Sequence, residues 1–81
     1  MSITVDWFWT PEPDGRSRVR QVYCDDKLIG RVRRRQKDKD GLIQEWFIAE
    51  RLEGAFYTPV NGEHPTFKAA LNRFTMHGVA R

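Results

Sequence analysis

The hydrophobic pattern of this chain changes period once, and this change constrains the fold more than any other feature. Before residue 60, apolar and polar residues form short segments with the alternation of β-strands. Near the C-terminal end, four apolar residues are spaced i, i+3, i+4 and i+7: Phe67, Ala70, Leu71 and Phe74. That spacing makes one stripe along an amphipathic helix. The sequence therefore predicts strands first and a single helix last.

Turn signals divide the first part of the chain. Aspartate and glycine tolerate the backbone angles of tight turns, and such residues occur at Asp14-Gly15, Asp25-Asp26 and Asp38–Gly41. The predicted strands are Ile3–Thr10, Ser17–Cys24, Lys27–Arg35 and Leu42–Arg51, followed by an extended edge segment, Ala55–Pro59, and a loop at residues 60–63. We therefore predict an α+β fold, in which a single antiparallel β-sheet of three to five strands packs against one C-terminal α-helix.

The predicted helix has signals at both ends. Pro65 suits a first helical turn, and either His64 or Thr66 can cap the N-terminus. Gly78 can end the helix in a left-handed conformation.

The length and cysteine content of the chain limit its organisation. A chain of 81 residues makes one domain, residues 1–81, and its core must come from a few large side chains such as Trp7, Trp9 and Trp46. The single cysteine, Cys24, cannot form an internal disulfide, which indicates a reducing compartment. We expect no signal peptide, because the N-terminal residues lack a basic stretch followed by an apolar run. We also expect no membrane span, because no apolar run approaches about 18 residues. The predicted location is the cytoplasm.

Arginine is distributed unevenly along the chain, and the functional prediction depends on that distribution. If Asp25 and Asp26 are the two central residues of a turn, Arg20 lies opposite Arg31 and Arg18 lies opposite Arg33. One side of the sheet then carries a set of arginines, with Arg16 near its end: Arg16, Arg18, Arg20, Arg31, Arg33 and Arg35. Val19, Tyr23, Leu28 and Val32 would form the opposite, core side.

Like charges directly opposite each other destabilise a sheet by tenths of a kcal/mol to about 1 kcal/mol. Acidic residues on neighbouring strands can offset this cost, and Asp6, Glu45 and Glu50 are the candidates. An anionic ligand, above all nucleic-acid phosphate, can also offset it. A third interpretation is a solvated outer surface on which the arginine stems cover the sheet.

Three phenylalanines are candidate interface aromatics: Phe8, Phe47 and Phe56. Phe8 and Phe47 are adjacent in sequence to the tryptophans, and neighbouring side chains of a strand point to opposite sides of the sheet. If the tryptophans lie in the core, these two phenylalanines are expected to be partly exposed beside the arginines. Aromatic side chains among cations can stack on bases. They can also anchor a protein interface, where arginine and aromatic residues are both enriched.

We expect no catalytic activity, cofactor or metal. The two histidines and the one cysteine have no zinc-ligand spacing, and turn formation explains the aspartate pairs. A nucleophilic pair of Cys24 with a histidine would require residues far apart in sequence to meet.

Three segments together resemble small orphan proteins of phages and prophages: YCDDKLIGRV, EWFIAE and PTFKAAL. The layout over residues 17–77 is also similar to the arm-type DNA-binding domain of some tyrosine integrases and to the plant ethylene-response DNA-binding domain. In those domains the sheet enters the major groove with arginines and a tryptophan on its surface. The resemblance implies phosphate or base contacts for Arg18, Arg20, Arg31 and Arg33, and a core or platform role for Trp46. The tryptophan-rich first strand and the many acidic residues depart from that pattern.

The sequence thus predicts a small, non-catalytic accessory protein of phage or prophage type. It would bind nucleic acid, or a host complex that handles nucleic acid, through an arginine-rich side of the sheet. The alternative is a protein–protein inhibitor of a host enzyme or defence system. The sequence leaves the oligomeric state open.

Overall fold

The computed structural model describes residues 2–76 and shows one antiparallel sheet with a short helix on one side. The strands lie in the order β1-β3-β4-β5-β6, and β2 pairs with β3. Their bounds are β1 Ile3–Val5, β2 Thr10–Pro11, β3 Ser17–Cys24, β4 Lys27–Lys39, β5 Leu42–Glu53 and β6 Phe56–His64, and the helix α1 is Phe67–Met76. The predicted fold class, with three to five strands, is wrong. The described residues form six strands, and the sheet rather than the helix makes up most of the chain.

The additional strands have two causes. The predicted first strand is broken, because the chain leaves the sheet between Val5 and Thr10. We call residues 6–9, where the chain leaves the sheet, the excursion. If the pairing continued without interruption from Val5 opposite Val22, Thr10 would lie opposite Ser17. It lies opposite Val19 instead, so the excursion contains two residues more than a continuous strand would. The predicted loop at residues 60–63 is instead part of the edge strand β6.

The core lies between the sheet and α1, on what is here called the helix side of the sheet. Its buried side chains are Val22, Val32, Phe47, Ala49, Ala70 and Phe74. Gly30 allows the helix to approach, because a Cβ at this position would overlap the Phe74 ring and the backbone carbonyl of Glu50. The opposite side of the sheet is here called the helix-free side.

Thr66, and not His64, caps the helix. The Thr66 hydroxyl oxygen accepts a hydrogen bond from the backbone N–H of Ala69 at 3.1 Å, which is the N-cap arrangement. Pro65 precedes the cap instead of occupying the first turn. The predicted C-terminal stop, Gly78, lies outside the described residues.

A β-bulge in the β3–β4 hairpin changes the predicted register. Tyr23 lies opposite Leu28 as predicted, but Val22 pairs with Gly30, which leaves Ile29 as the extra residue in β4. The extra residue reverses the side on which every later β4 side chain lies relative to β3. Val19 and Val32 therefore lie on opposite sides of the sheet, contrary to the prediction that they share a core side.

The β4–β5 hairpin extends beyond the other strands. The last β3 pair is Ser17 with Arg35, and the last β6 pair is His64 with Phe47. Residues 36–45, here called the arm, pair only with each other among the described residues. The arm accounts for the elongated shape of 43 × 23 × 22 Å. It ends in a two-residue turn, in which Asp40 and Gly41 have φ of 54° and 81°, as a tight hairpin requires.

Candidate nucleic-acid interface

The arginines lie on both sides of the sheet, so the predicted common arginine surface is wrong. The observed partners are Arg20 with Val32 and Arg18 with Arg34, and Arg33 lies opposite Val19. Cross-strand partners share a side of an antiparallel sheet. The helix side therefore carries Arg18, Arg20 and Arg34, and the helix-free side carries Arg31, Arg33 and Arg35. The bulge at Ile29 is the cause.

Carboxylates hold Arg31 and Arg33 on the helix-free side. The Nε atoms of both arginines donate to the Glu50 carboxylate, Arg31 at 2.6 Å and Arg33 at 3.1 Å. Glu12 also contacts both, with its Oε1 at 3.0 Å from Arg33 Nη2 and 3.5 Å from Arg31 Nη1. These four residues are here called the paired cluster. Glu50 was one of the three acidic residues expected to offset arginine charge, and the structure confirms that role.

The paired cluster is tied to the turn that precedes β3. Arg33 Nη1 donates to the Ser17 hydroxyl oxygen at 2.6 Å, and that hydroxyl donates to Asp14 Oδ2 at 2.9 Å. Asp14 also accepts from the backbone N–H groups of Arg16 and Ser17, and these bonds lower its pKa from 3.8 to about 2. Burial lowers the pKa of Arg33, but its bonds to Glu50 and Glu12 outweigh burial and raise the pKa above its ordinary value.

Among residues 2–76, the carboxylates of the other two candidates, Asp6 and Glu45, form no salt bridge with the arginines of β3 and β4. Glu45 accepts a hydrogen bond from the Gln36 amide at 3.1 Å. The backbone carbonyl of Asp6, and not its carboxylate, accepts from Arg20 Nε at 2.6 Å.

The arginines of the helix side surround an aromatic ring. The Arg34 and Arg20 guanidinium carbons lie 4.9 and 5.4 Å from the centre of the Trp9 ring, and Arg20 lies 4.6 Å from the centre of the Phe67 ring. Arg18 is exposed directly opposite Arg34. Within residues 2–76, no carboxylate oxygen lies within 4.0 Å of a side-chain nitrogen of these three arginines. Arg18, Arg20 and Arg34 are here called the unpaired cluster.

The arm has a different charge on each side. On the helix-free side Lys39 lies opposite Leu42, Lys37 opposite Gln44 and Arg35 opposite Trp46. These three exposed cations, Arg35, Lys37 and Lys39, are here called the cationic row. The arm carboxylates Asp38 and Glu45 lie on the helix side, opposite Ile43 and Gln36. No carboxylate of the arm strands therefore shares the side of the cationic row.

Arg16 lies beside the cationic row. An open groove of about 510 Å³ runs along the free edge of β4 and is lined by Gly15, Arg16, Gln36, Lys37 and Asp38. The groove exists because β3 ends at Ser17 and leaves the edge of the arm without a neighbouring strand. Arg16 and Lys37 therefore line the same groove, together with the carboxylate of Asp38.

The aromatic predictions have mixed outcomes. Phe47 is 6% exposed and belongs to the core, so its expected exposure is wrong. Phe8 and Phe56 are exposed. Trp7 was expected in the core but is 86% exposed. Its ring meets the Phe8 ring edge to face, with the two ring centres 5.3 Å apart.

Residues 2–76 contain no group of three or more His, Cys, Asp or Glu side chains that could hold a metal ion. Cys24 is a free thiol, 4.0 Å from Asp25 Oδ2. Over the same residues, no helix has the length and apolarity that a membrane crossing needs.

Comparison with family models, curated proteins and solved structures finds no match to this chain. The resemblance to phage proteins and to integrase-type domains therefore stays a prediction.

Sequence reasoning missed three parts of the interface. Glu12, in the proline-rich segment after the first strand, gave no sign of pairing with arginines of β4. The predicted strand ended at Arg35, so Lys37 lay outside it and Lys39 in the predicted turn. The spacing of Arg35, Lys37 and Lys39 at every second residue is the signal that would have placed all three on one side. Arg34 was not among the predicted binding residues, although it lies directly opposite Arg18.

Proposed function

We propose that this protein is a non-catalytic, cytoplasmic nucleic-acid-binding protein that inserts its arm into the major groove of a duplex. The cationic row supports this proposal, because three cations with no intervening carboxylate project from one side of a two-stranded ribbon. Their side chains are about 7 Å apart along the strand. The single free cysteine fits a reducing, intracellular compartment, where nucleic acid is an available anionic partner.

The dimensions of the arm fit the groove. The major groove of B-DNA is about 12 Å wide and admits a two-stranded β-ribbon. Since neither β3 nor β6 extends along the arm, both of its edges are free to lie between the phosphate backbones. The acidic residues Asp38 and Glu45 would face away from the duplex, so among the charged residues of the arm only cations lie on the side that enters the groove.

Gln44 adds a group that can read bases. It lies opposite Lys37 on the side of the cationic row. A glutamine amide can pair with an adenine edge through two hydrogen bonds in the major groove. We therefore expect some preference for sites that contain adenine, on top of a larger contribution from phosphate contacts that does not depend on sequence.

The decisive experiment compares two variants that each lose two lysines. Lys37→Ser with Lys39→Ser removes two cations of the row, and Lys27→Ser with Lys68→Ser removes two exposed lysines elsewhere. Titration of a labelled duplex at two or more salt concentrations should show that the row variant binds at least about ten-fold more weakly at low salt. Its log–log salt slope should fall by roughly two, since each lost phosphate contact contributes about 0.9. Thermal unfolding verifies that both variants fold.

Equal losses in the two variants would contradict the proposal, because they would show a general effect of net charge. The absence of duplex binding by the unchanged protein at low salt would contradict it as well. A nuclease-resistant complex with a host protein, sensitive to Phe8→Ala or Phe56→Ala, would instead favour the alternative of a protein inhibitor, for which these two exposed phenylalanines are the available anchors.

A further inference from the structure

We infer that the helix side carries a second binding site, which takes an unpaired single strand of nucleic acid. It consists of the unpaired cluster on the helix side and the exposed ring pair Trp7 and Phe8, which follows Asp6 at the edge of β3 beside Arg20. No residue of the cationic row belongs to this second site, so the two sites can be tested independently of each other.

The first observation is an uncompensated charge. Arg18 and Arg34 are direct cross-strand partners, and Arg20 lies on the same side two residues from Arg18. Like charges in this position repel each other. On the helix-free side Glu12 and Glu50 neutralise comparable arginines, whereas within residues 2–76 the unpaired cluster has no carboxylate within 4.0 Å. A bound phosphate would supply the missing negative charge.

The second observation is how the guanidinium groups are held. Trp9 contacts both Arg20 and Arg34, and Phe67 contacts Arg20 from the helix. A guanidinium that lies over a ring is fixed in place, while the N–H groups at its rim remain able to donate. The Nε of Arg20 also donates to the Asp6 carbonyl oxygen, which fixes that side chain further. Two of the three cations are therefore preorganised without losing all their donors.

The third observation is the pair of rings on the same chain excursion as Trp9. Trp7 is 86% exposed and Phe8 is 44% exposed. The preceding residue, Asp6, is held at the outer edge of β3, where its N–H donates to the Gln21 carbonyl oxygen and its carbonyl oxygen accepts from Arg20 Nε. Stacking of a base on an aromatic ring is nearly independent of the identity of the base. Paired bases cannot reach such rings, so the site selects unpaired nucleotides.

Two matched pairs of variants test this site. A thymidine strand of about 12 nucleotides is the probe, since it has no stable structure and covers a typical single-strand site. Trp7→Ala should weaken its binding roughly ten-fold, while Phe56→Ala, which removes another exposed ring, should leave it unchanged. Arg18→Thr should weaken binding and lower the salt slope by roughly 0.7, whereas Arg35→Thr on the opposite side should have little effect.

The results separate this inference from the proposed function. Single-strand binding that depends on Trp7 and Arg18 supports the second site whether or not the duplex binds. The inference is overturned if the thymidine strand does not bind at low salt, or if Phe56→Ala reduces binding as much as Trp7→Ala. It is also overturned if Arg35→Thr has the larger effect of the two arginine changes, since the single strand would then lie on the arm.

Discussion

Two groups of arginines on the same pair of strands have opposite environments. Arg31 and Arg33 lie on the helix-free side, where their side chains are 17% and 16% exposed and contact Glu12 and Glu50. Arg18 and Arg34 lie on the helix side, face each other directly and have no carboxylate within salt-bridge distance in the described chain. The first pair contributes to the fold, and the second remains available to a ligand.

The comparison shows that the number of arginines does not determine what a surface can bind. The two acidic residues that contact arginine side chains of β4, Glu12 and Glu50, both lie on the helix-free side. Glu50 lies on β5 opposite Arg31, and Glu12 reaches the same side from the segment after β2. The opposite side is occupied by Trp9 and the helix, whose aromatic rings hold arginines without neutralising them. Only unneutralised cations are effective phosphate contacts.

The largest change in stability is expected for Glu50→Ala, which removes a carboxylate from the paired cluster. Glu50 is 7% exposed and accepts hydrogen bonds from both arginines of the paired cluster. In the described chain its loss leaves Glu12 as the one carboxylate beside two partly buried guanidinium groups, so the free energy of unfolding should fall by about 2–3 kcal/mol. Urea unfolding measures this change. Glu45→Ala, on the exposed part of the same strand, is the control and should cost less than about 0.5 kcal/mol.

If Glu50→Ala lowered the free energy of unfolding no more than Glu45→Ala does, the proposed difference between the two groups of arginines would be contradicted. The paired cluster would then contribute no more to the stability of the fold than an exposed carboxylate does.

A smaller effect of the opposite sign is expected at Arg18. Arg18→Thr removes one of two like charges that face each other across β3 and β4, so the free energy of unfolding at low salt should rise by tenths of a kcal/mol to about 1 kcal/mol. High salt should remove the gain, because it already screens exposed charges. Urea unfolding at low and high salt tests this expectation. A clear loss of stability would show that Arg18 has a structural partner and does not belong to an available site.

The sequence predicted the parts of this fold that depend on local patterns. The stripe of Phe67, Ala70, Leu71 and Phe74 specified the helix, and the Asp40-Gly41 turn specified the β4–β5 hairpin. The bulge was not predictable from the pattern, because Leu28 and Ile29 are both apolar and alternation cannot show which of them is extra. That single residue decided which arginines share a side.

The aromatic assignments failed for a related reason. Trp46 and Phe47 are adjacent, and apolar residues on both sides of β5 hide which side faces the helix. Phe47 lies on the helix side and is buried, while Trp46 lies on the other side and is half-buried. Trp7 is exposed because the chain leaves the sheet after Val5, and a tryptophan gives no local sign of such an excursion. The contact partners, and not the side-chain type, determined the exposure of each ring.

The smallest expected effect concerns pH and the link between Asp14 and the paired cluster. Hydrogen bonds from Arg16, Ser17 and the Ser17 hydroxyl lower the Asp14 pKa from 3.8 to about 2. A carboxyl group whose pKa is lowered by folding stabilises the fold fully above its unfolded value, and this contribution is lost as the pH falls from about 4 to about 2. Thermal unfolding should therefore show that Asp14→Ala is less stable than the unchanged protein at neutral pH, and that the difference narrows through this range. Asp38→Ala, which removes an exposed carboxylate of the arm, is the control. If the difference at Asp14 persisted unchanged at pH 2, the turn and not its carboxylate charge would hold Ser17 in place beneath Arg33.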